Sequence, residues 1–461
     1  MKKMFSFLGT TLYMECFYFK DDFTSSRTRF IQTALYEMLK KEGVQIDKVY
    51  VFVTDEALKK NYEDYYDEQK DVQYIGLKNV WNDKFGDEGA QLIPVHMEAS
   101  LMEDLEQFPR DEITNKFEEE QWDLFNKIFD IIETDDEIYF DITHSFRSNP
   151  VIALIIAHFA KTMKNAKLKR LFYGNFESLG QAREVADIPV EERHAPIVDI
   201  TSMMELLDWT IGVDTFLRTG NPAQIYDLAR DKGRIYQNEP SYRSMRGFSK
   251  LLHEFNLHVE TVRGLEIHEK TSKMLELYPK LVENKTGMFP QFEKLTTKID
   301  EKLEILAENE WENMMGTVRW AYEHGLYQQS ITLLTEYIVT IVARKYGLDE
   351  LDVDERILIS GLLKQTIREI RTAKENSSNN RKLKDKKHID TEKIQQVIKE
   401  FVEQYPEVYP FEGLIDFRND INHAGMRKES ISATNVRKTI KKYIKELEPF
   451  FKRLIAEEKH D

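Results

Sequence analysis

Ile138-Tyr139-Phe140-Asp141-Ile142-Thr143-His144-Ser145-Phe146-Arg147-Ser148-Asn149-Pro150 carries the chain from an apolar segment through a polar turn into Val151-Ile152-Ala153-Leu154-Ile155-Ile156-Ala157. The segment before Asp141 reads as a strand. The run after Pro150 is apolar around the whole circumference of a helix and predicts a buried one. Strand, polar turn and helix make the repeating unit of an α/β domain with a mainly parallel sheet. In such a sheet the carboxyl ends of the strands open onto the crevice where ligands sit. Ser148 or Asn149 is expected to cap the helix, with Pro150 in its first turn, leaving backbone amides free for an anion. Thr143, His144 and Ser145 add donors, and Arg147 has the planar fork that grips a phosphodiester. The competing reading is structural: Asp141 and Thr143 cap the neighbouring helix, and His144 is a satisfied core histidine. Asp141 and His144 have no further ligands at matching spacing, so no metal site is expected.

Outward from that turn, Phe5-Ser6-Phe7-Leu8, Val49-Tyr50-Val51-Phe52-Val53, Leu92-Ile93-Pro94-Val95 and Leu171-Phe172-Tyr173 are further strand candidates. Between them lie helix patterns such as Phe30, Ala34, Leu35, Met38 and Leu39. The first strand ends in Gly9-Thr10-Thr11, where a glycine admits close backbone approach and two hydroxyls can donate. Tyr173-Gly174-Asn175-Phe176 forms a third turn, and the three are expected to share a rim that includes Asn175. Beyond residue 200 the strand signals fade and helical periodicity takes over, with Ile331, Leu334, Ile338 and Val342 as one example. The predicted organisation is an α/β domain over 1–195, a helical connector over 196–310 and an all-α domain over 311–461.

The chain of 461 residues is 41 % hydrophobic and 32 % charged, as a folded multidomain protein should be. No apolar stretch is long enough to span a bilayer, and the N-terminus lacks a signal-peptide core, so a cytoplasmic location is expected. Cys16 stands alone, which excludes an intrachain disulfide. A net charge of -16 opposes broad attraction to nucleic acid, so any such contact must be local. The run Arg381-Lys382-Leu383-Lys384-Asp385-Lys386-Lys387-His388 is either a solvated loop or a basic rim that gathers RNA.

Near the C-terminus, Phe417-Arg418-Asn419-Asp420-Ile421-Asn422-His423-Ala424-Gly425 sets a permanent cation five positions from an imidazole, a pairing able to move protons and steady a phosphate. The spacing recurs at Arg263 and His268 and at Arg319 and His324. Only the Arg418 segment fills it with side chains that favour a helix terminus. Five steps along an ideal helix turn about 500°, leaving Arg418 and His423 about 140° apart. Asn419 and His423 share a face. Two copies meeting about a two-fold axis bring both arginines and both histidines into one cleft.

Asp141-Ile142-Thr143-His144-Ser145-Phe146-Arg147 resembles the D-x-T-H-G-F-R signature of the CRISPR-associated CARF domains, with Ser145 where glycine is most usual. Phe172-Tyr173-Gly174-Asn175-Phe176-Glu177 is similar to a stretch that those domains carry after a late strand. Arg418 to His423 resembles the R-x-x-x-x-H motif of HEPN ribonuclease domains, and the order of the two matches the CARF-HEPN ribonucleases of type III CRISPR systems. The resemblance implies a Rossmann-like CARF domain, an all-α connector and a C-terminal all-α HEPN domain. It also implies a homodimer, activated by a cyclic oligoadenylate from a type III CRISPR effector complex, that cuts single-stranded RNA without a metal or cofactor. Arg418 and His423 are then catalytic with Asn419 assisting, while Gly9, Thr10, Asp141, Thr143, His144, Ser145 and Arg147 line the activator pocket. Cyclic tetra-adenylate is the expected ring rather than hexa-adenylate. The alternatives from other classes are a nucleotide-sensing regulator and a non-catalytic helical interaction protein.

Overall fold

The computed structural model describes residues 1–98, 109–144, 148–235, 238–283, 292–373, 391–426 and 428–458. They form two compact units, Met1–Glu205 and Leu206–Asp461. Ser145, Arg147 and the basic run 381–388 lie outside the described residues.

In the first unit the strands are β1 (Lys2–Leu8), β2 (Phe17–Lys20), β3 (Phe23–Thr24), β4 (Lys48–Val53), β5 (Tyr65–Asp67), β6 (Val72–Tyr74), β7 (Gln91–His96), β8 (Glu137–Asp141), β9 (Lys167–Gly174) and β10 (His194–Asp199). Its helices are α1 (Ile31–Lys41), α2 (Leu77–Phe85), α3 (Arg110–Ile131), α4 (Asn149–Lys164) and α5 (Ala182–Ala186). The large sheet has the order β3-β2-β10-β9-β8-β1-β4-β7, and the block from β9 to β7 is parallel throughout. β10 runs antiparallel to β9 and continues the sheet to β2 and β3, an extension that no apolar run had predicted.

Both sheet faces are covered, which is why the central strands read as nearly continuous apolar runs. Alternate residues serve alternate faces. Met4 and Leu8 meet α1 on one side, whereas Phe5 and Phe7 meet α3 and α4 on the other. Phe5 stacks on Tyr50 and Phe140 at 5.5 and 5.6 Å between ring centroids, giving that face an aromatic ladder across three strands.

α4 forms where the apolar run predicted it, but it is not buried all round. Ala153, Ile156, Ala157 and Ala160 face the sheet. Val151, Ile155, Phe159 and Met163 are 58, 55, 39 and 61 % exposed, because the sheet covers only one side of a helix on its outer layer. No side chain caps α4, and the Ser148 carbonyl instead accepts the amides of Val151 and Ile152.

The second unit is all helical. α6 (Thr201–Thr219) leads into it, followed by α7 (Ala223–Ile235), α8 (Pro240–Glu260), α9 (Gly264–Glu283), α10 (Phe292–Leu303), α11 (Glu310–Glu323), α12 (Tyr327–Lys345), α13 (Val353–Ala373), α14 (Thr391–Gln404), α15 (Phe411–Asn422) and α16 (Ala433–Glu458). One hydrophobic core runs from Trp209 to Leu454, so helices before and after residue 310 pack together. Among the described residues no helix is long and apolar enough to cross a membrane.

Candidate functional site

The sheet order creates a switch point. From β1 the chain crosses to β4 on one side and later returns to β8 on the other, so the loops after β1 and β8 part at their carboxyl ends and leave a crevice. The two turns singled out in the sequence, Gly9-Thr10-Thr11 and the one after Asp141, meet there. A Cβ on Gly9 would lie in ordinary contact, 3.6 Å from the His144 carbonyl oxygen, and tightly, 3.0 Å, against the Tyr13 hydroxyl, which shows how near the two turns come. Thr10 is half-buried and Thr11 exposed.

The crevice floor is a closed hydrogen-bond network around Asp141, which is fully buried. The β1–β8 register pairs Phe5 with Phe140, so Ser6 and Asp141 come next to each other on the face under α1. Ser6 Oγ donates to Asp141 Oδ2 at 2.5 Å, and Gln32 Nε2 of α1 donates to Ser6 Oγ at 2.9 Å. Asp141 Oδ1 accepts the Thr143 amide at 3.0 Å and the Thr143 hydroxyl at 2.5 Å, and that hydroxyl in turn accepts the Gly174 amide at 2.8 Å. Burial raises the Asp141 carboxyl above the ordinary carboxylate range, against the lowering effect of these donors. Thr143 thus joins the ends of β8 and β9.

His144 stacks on Tyr13 with ring centroids 3.9 Å apart. The residue as a whole is partly exposed, yet its Nε2 is shielded from solvent and has no hydrogen-bond partner. Burial pushes the imidazole down to about 3, so it is neutral at physiological pH and offers a ring face rather than a charge. The Tyr13 hydroxyl accepts the Gly9 amide at 2.6 Å.

Tyr13, Ser6, Gln32, Asn61 and Arg29 were not marked by the sequence. Asn61 Nδ2 donates to the carbonyls of Gly9 and Thr11 at 2.8 and 2.9 Å and fixes the first loop. Arg29 donates to the Tyr13 carbonyl at 3.1 Å and to Asn61 Oδ1 at 3.3 Å, and lies 4.8 Å over the Tyr74 ring. Among the described residues it makes no direct ion pair, although the Glu15 carboxylate acts on it from further off, and burial lowers its pKa, so a half-buried cation stands at the side of the crevice. Asn175 sits two strands away at the end of β9, where its amide donates to the Pro196 carbonyl. Gly174 is there for packing: a Cβ would fall 2.7 Å from Ile31 Cδ1. Among the described residues no three His, Cys, Asp or Glu side chains are grouped to hold a metal ion.

In the second unit α15 lies against α12 and α13 and carries the C-terminal motif. Phe411, Leu414, Ile415 and Phe417 anchor it in the core. The helix ends at His423, whose amide donates to the Asn419 carbonyl at 2.9 Å. Ala424 and Gly425 both adopt left-handed backbone, at φ 57° and 67°, and the Gly425 amide closes the end on the Asp420 carbonyl at 2.8 Å. Asp420 is buried, and its Oδ2 accepts the Ile431 amide at 3.0 Å, pinning the loop that follows. The side chains of the motif thus divide their roles. His423 is exposed and Asn419 half-buried. Arg418 turns inward, with one guanidinium nitrogen 3.2 Å from Glu336 Oε1 of α12 and its Nε enclosed without a partner. Arg356 of α13 donates to the other Glu336 oxygen at 2.6 Å. The similarly spaced Arg319 and His324 serve packing. Arg319 pairs with Glu448 at 2.8 Å, while His324 lies 4.3 Å from the Trp320 ring and is driven down to about 4 by burial.

Residues 3–177 match the family described as "CRISPR system endoribonuclease Csx1, CARF domain". The CRISPR-associated protein MJ1674 of Methanocaldococcus jannaschii is 25 % identical over 322 residues, which are 68 % of this chain and 44 % of that protein. The chain therefore aligns with less than half the length of this relative. The matched segment holds the switch point, both loops and the Asp141 network, and the N-terminal unit is accordingly a CARF domain of the CRISPR-associated type.

Proposed function

We propose that the chain is an endoribonuclease of type III CRISPR defence that acts in the cytoplasm, cuts single-stranded RNA without a metal and is switched on by a cyclic oligoadenylate. The observation that carries this reading is the presence, in one chain with a CARF domain, of a helix that presents Asn419 and His423 at its exposed end beside Arg418. The activator would settle on the crevice, with Gly9, Thr10, Thr11, Tyr13, Thr143 and His144 around it and Asn175 at the far side. Ser145 and Arg147 belong to the same turn by sequence. Residues 311–461 would act as the HEPN domain.

Cleavage needs two copies. Arg418 points inward while His423 faces solvent, so one α15 supplies only part of a cleft. The exposed row Val151, Ile155, Phe159 and Met163 on α4 supports self-association of the CARF domains, because a contiguous apolar stripe of this kind is a surface that gains by being covered. In the dimer cleft one His423 takes the proton of a ribose 2′-hydroxyl, whose oxygen attacks the adjacent phosphorus. The P–O5′ bond then breaks, and the other His423 gives the leaving oxygen its proton. The arginines stabilise the charge on the phosphorane. The products are a 2′,3′-cyclic phosphate and a 5′-hydroxyl, and DNA is spared because it lacks the attacking oxygen. Activation follows if the oligoadenylate binds the productive arrangement more tightly than the idle one.

The test is cleavage of a labelled RNA in EDTA, with and without cyclic tetra- or hexa-adenylate, by wild type and His423→Ala. One of the rings should stimulate wild type, and the variant should lose at least about 100-fold. Full activity in His423→Ala, or DNA cut as fast as RNA, overturns the proposal.

A further inference from the structure

The first half of α16 carries Arg437, Lys438, Lys441, Lys442 and Lys445 and has no acidic residue before Glu446. At 100° per residue these cations fall within about 140° of arc and span about 12 Å of axis. The opposite side of the helix, Ile440, Ile444 and Leu447, is buried, and all five cations are exposed. Such a face is unusual in a chain with a net charge of -16. Elsewhere on this unit several lysines are matched within their own helix: Lys280, Lys298 and Lys452 have carboxylates at 3.1, 2.5 and 2.7 Å. On this face Lys442 has only Glu446, at 3.8 Å, and Arg437 reaches the Tyr322 hydroxyl. Lys438, Lys441 and Lys445 have no ion pair among the described residues.

The arrangement works against the helix itself. Like charges four residues apart repel by about 0.2–0.5 kcal/mol per pair, and the first turn has none of the acids that favour a helix N-terminus. The second half of α16 has mixed signs, with Glu446, Glu448, Lys452, Arg453 and Glu457, as a merely solvated surface would. A polyanion lying along the first half offsets its repulsion, whereas a second copy of the same face increases it. The helix that carries this face is joined to the motif through its opposite side and through the loop before it. Tyr443 packs on Phe417 of α15 with ring centroids 5.7 Å apart, and the bond from Ile431 to Asp420 anchors the connecting loop.

We propose that this cationic face is a track on which single-stranded RNA is held by its phosphates beside α15. The inference rests on the RNA-cleavage reading and adds the surface that gathers the substrate. The experiment measures binding rather than cleavage, by fluorescence anisotropy of a labelled unstructured RNA. It uses full-length His423→Ala protein with and without the triple change Lys438→Gln, Lys441→Gln and Lys445→Gln. The triple variant should bind at least about tenfold more weakly at moderate salt. The slope of log affinity against log salt should fall by about 2, from about 0.7 per phosphate contact on a single strand. The same three changes to arginine should preserve both. Equal affinity and equal salt slope with and without the glutamines overturn the track, as does absence of RNA binding. Failure of wild type to cut an RNA that it binds overturns the cleavage reading alone.

Discussion

Asp141 offers a substitution whose outcome separates scaffold from charge. In Asp141→Asn the side-chain oxygen can keep both bonds from Thr143, and the new amide can donate to Ser6 Oγ, which then turns its own proton to the Phe7 carbonyl 3.4 Å away. Every donor stays paired, so the stability of the CARF domain should change by less than about 1 kcal/mol. In Asp141→Ala the Thr143 amide and hydroxyl lose their acceptor in a site closed to water, at about 1–3 kcal/mol each. A loss of about 3 kcal/mol in a unit of this size lowers the melting temperature by about 6–12 °C. The pH dependence follows from the raised carboxyl. Between the ordinary carboxylate value and the raised one, the folded protein holds a proton that the unfolded chain has released. Wild-type stability therefore falls as pH rises through that window and is level above it, whereas the asparagine variant lacks the slope. Scanning calorimetry of the full-length protein at several pH values reads both effects. An alanine variant that melts with wild type, or an asparagine variant that falls as far as alanine, refutes the network as the source of stability.

If the CARF domains self-associate through α4 as proposed, Ile155→Glu with Phe159→Glu should turn the dimer into a monomer in sedimentation, because both side chains lie on the exposed row and two copies would then face each other with like charges; an unchanged mass refutes the stripe as the contact. Gly425→Ala should cost about 1–2 kcal/mol, since a Cβ there meets nothing closer than 3.5 Å and only the left-handed backbone resists it. Chemical denaturation reads the cost, and a variant as stable as wild type would deny that the turn after His423 is held in that conformation.

Much of the CARF domain could be read from single residues in a row. β1, β4 and β8 are covered on both faces and so appear as apolar runs, β7 and β9 keep shorter apolar stretches although they are only partly covered, and the polar turn after Asp141 stands out against them. β10 escaped because it contains Pro196 and alternates buried with half-buried positions, and β2 because it is only four residues long. The partners of Asp141 escaped for a different reason. Ser6 and Gln32 reach it only through strand register and the crossing of α1, over a separation of 135 residues in the case of Ser6. The exposed side of α4 was hidden by its composition, since a helix apolar on every side has no period from which to tell inside from outside.

Glu336 grips Arg418 with one oxygen and Arg356 with the other. On the proposed reading, an RNA phosphate arriving at Arg418 would therefore trade places with an anion that the protein already owns. Such an exchange gains little for a solitary oxyanion, which swaps one ionic contact for another, and more for a long strand that brings further contacts with it. If the motif cuts RNA as proposed, the resting protein would thereby be indifferent to free phosphate and nucleotides in its surroundings while still yielding to a polymer.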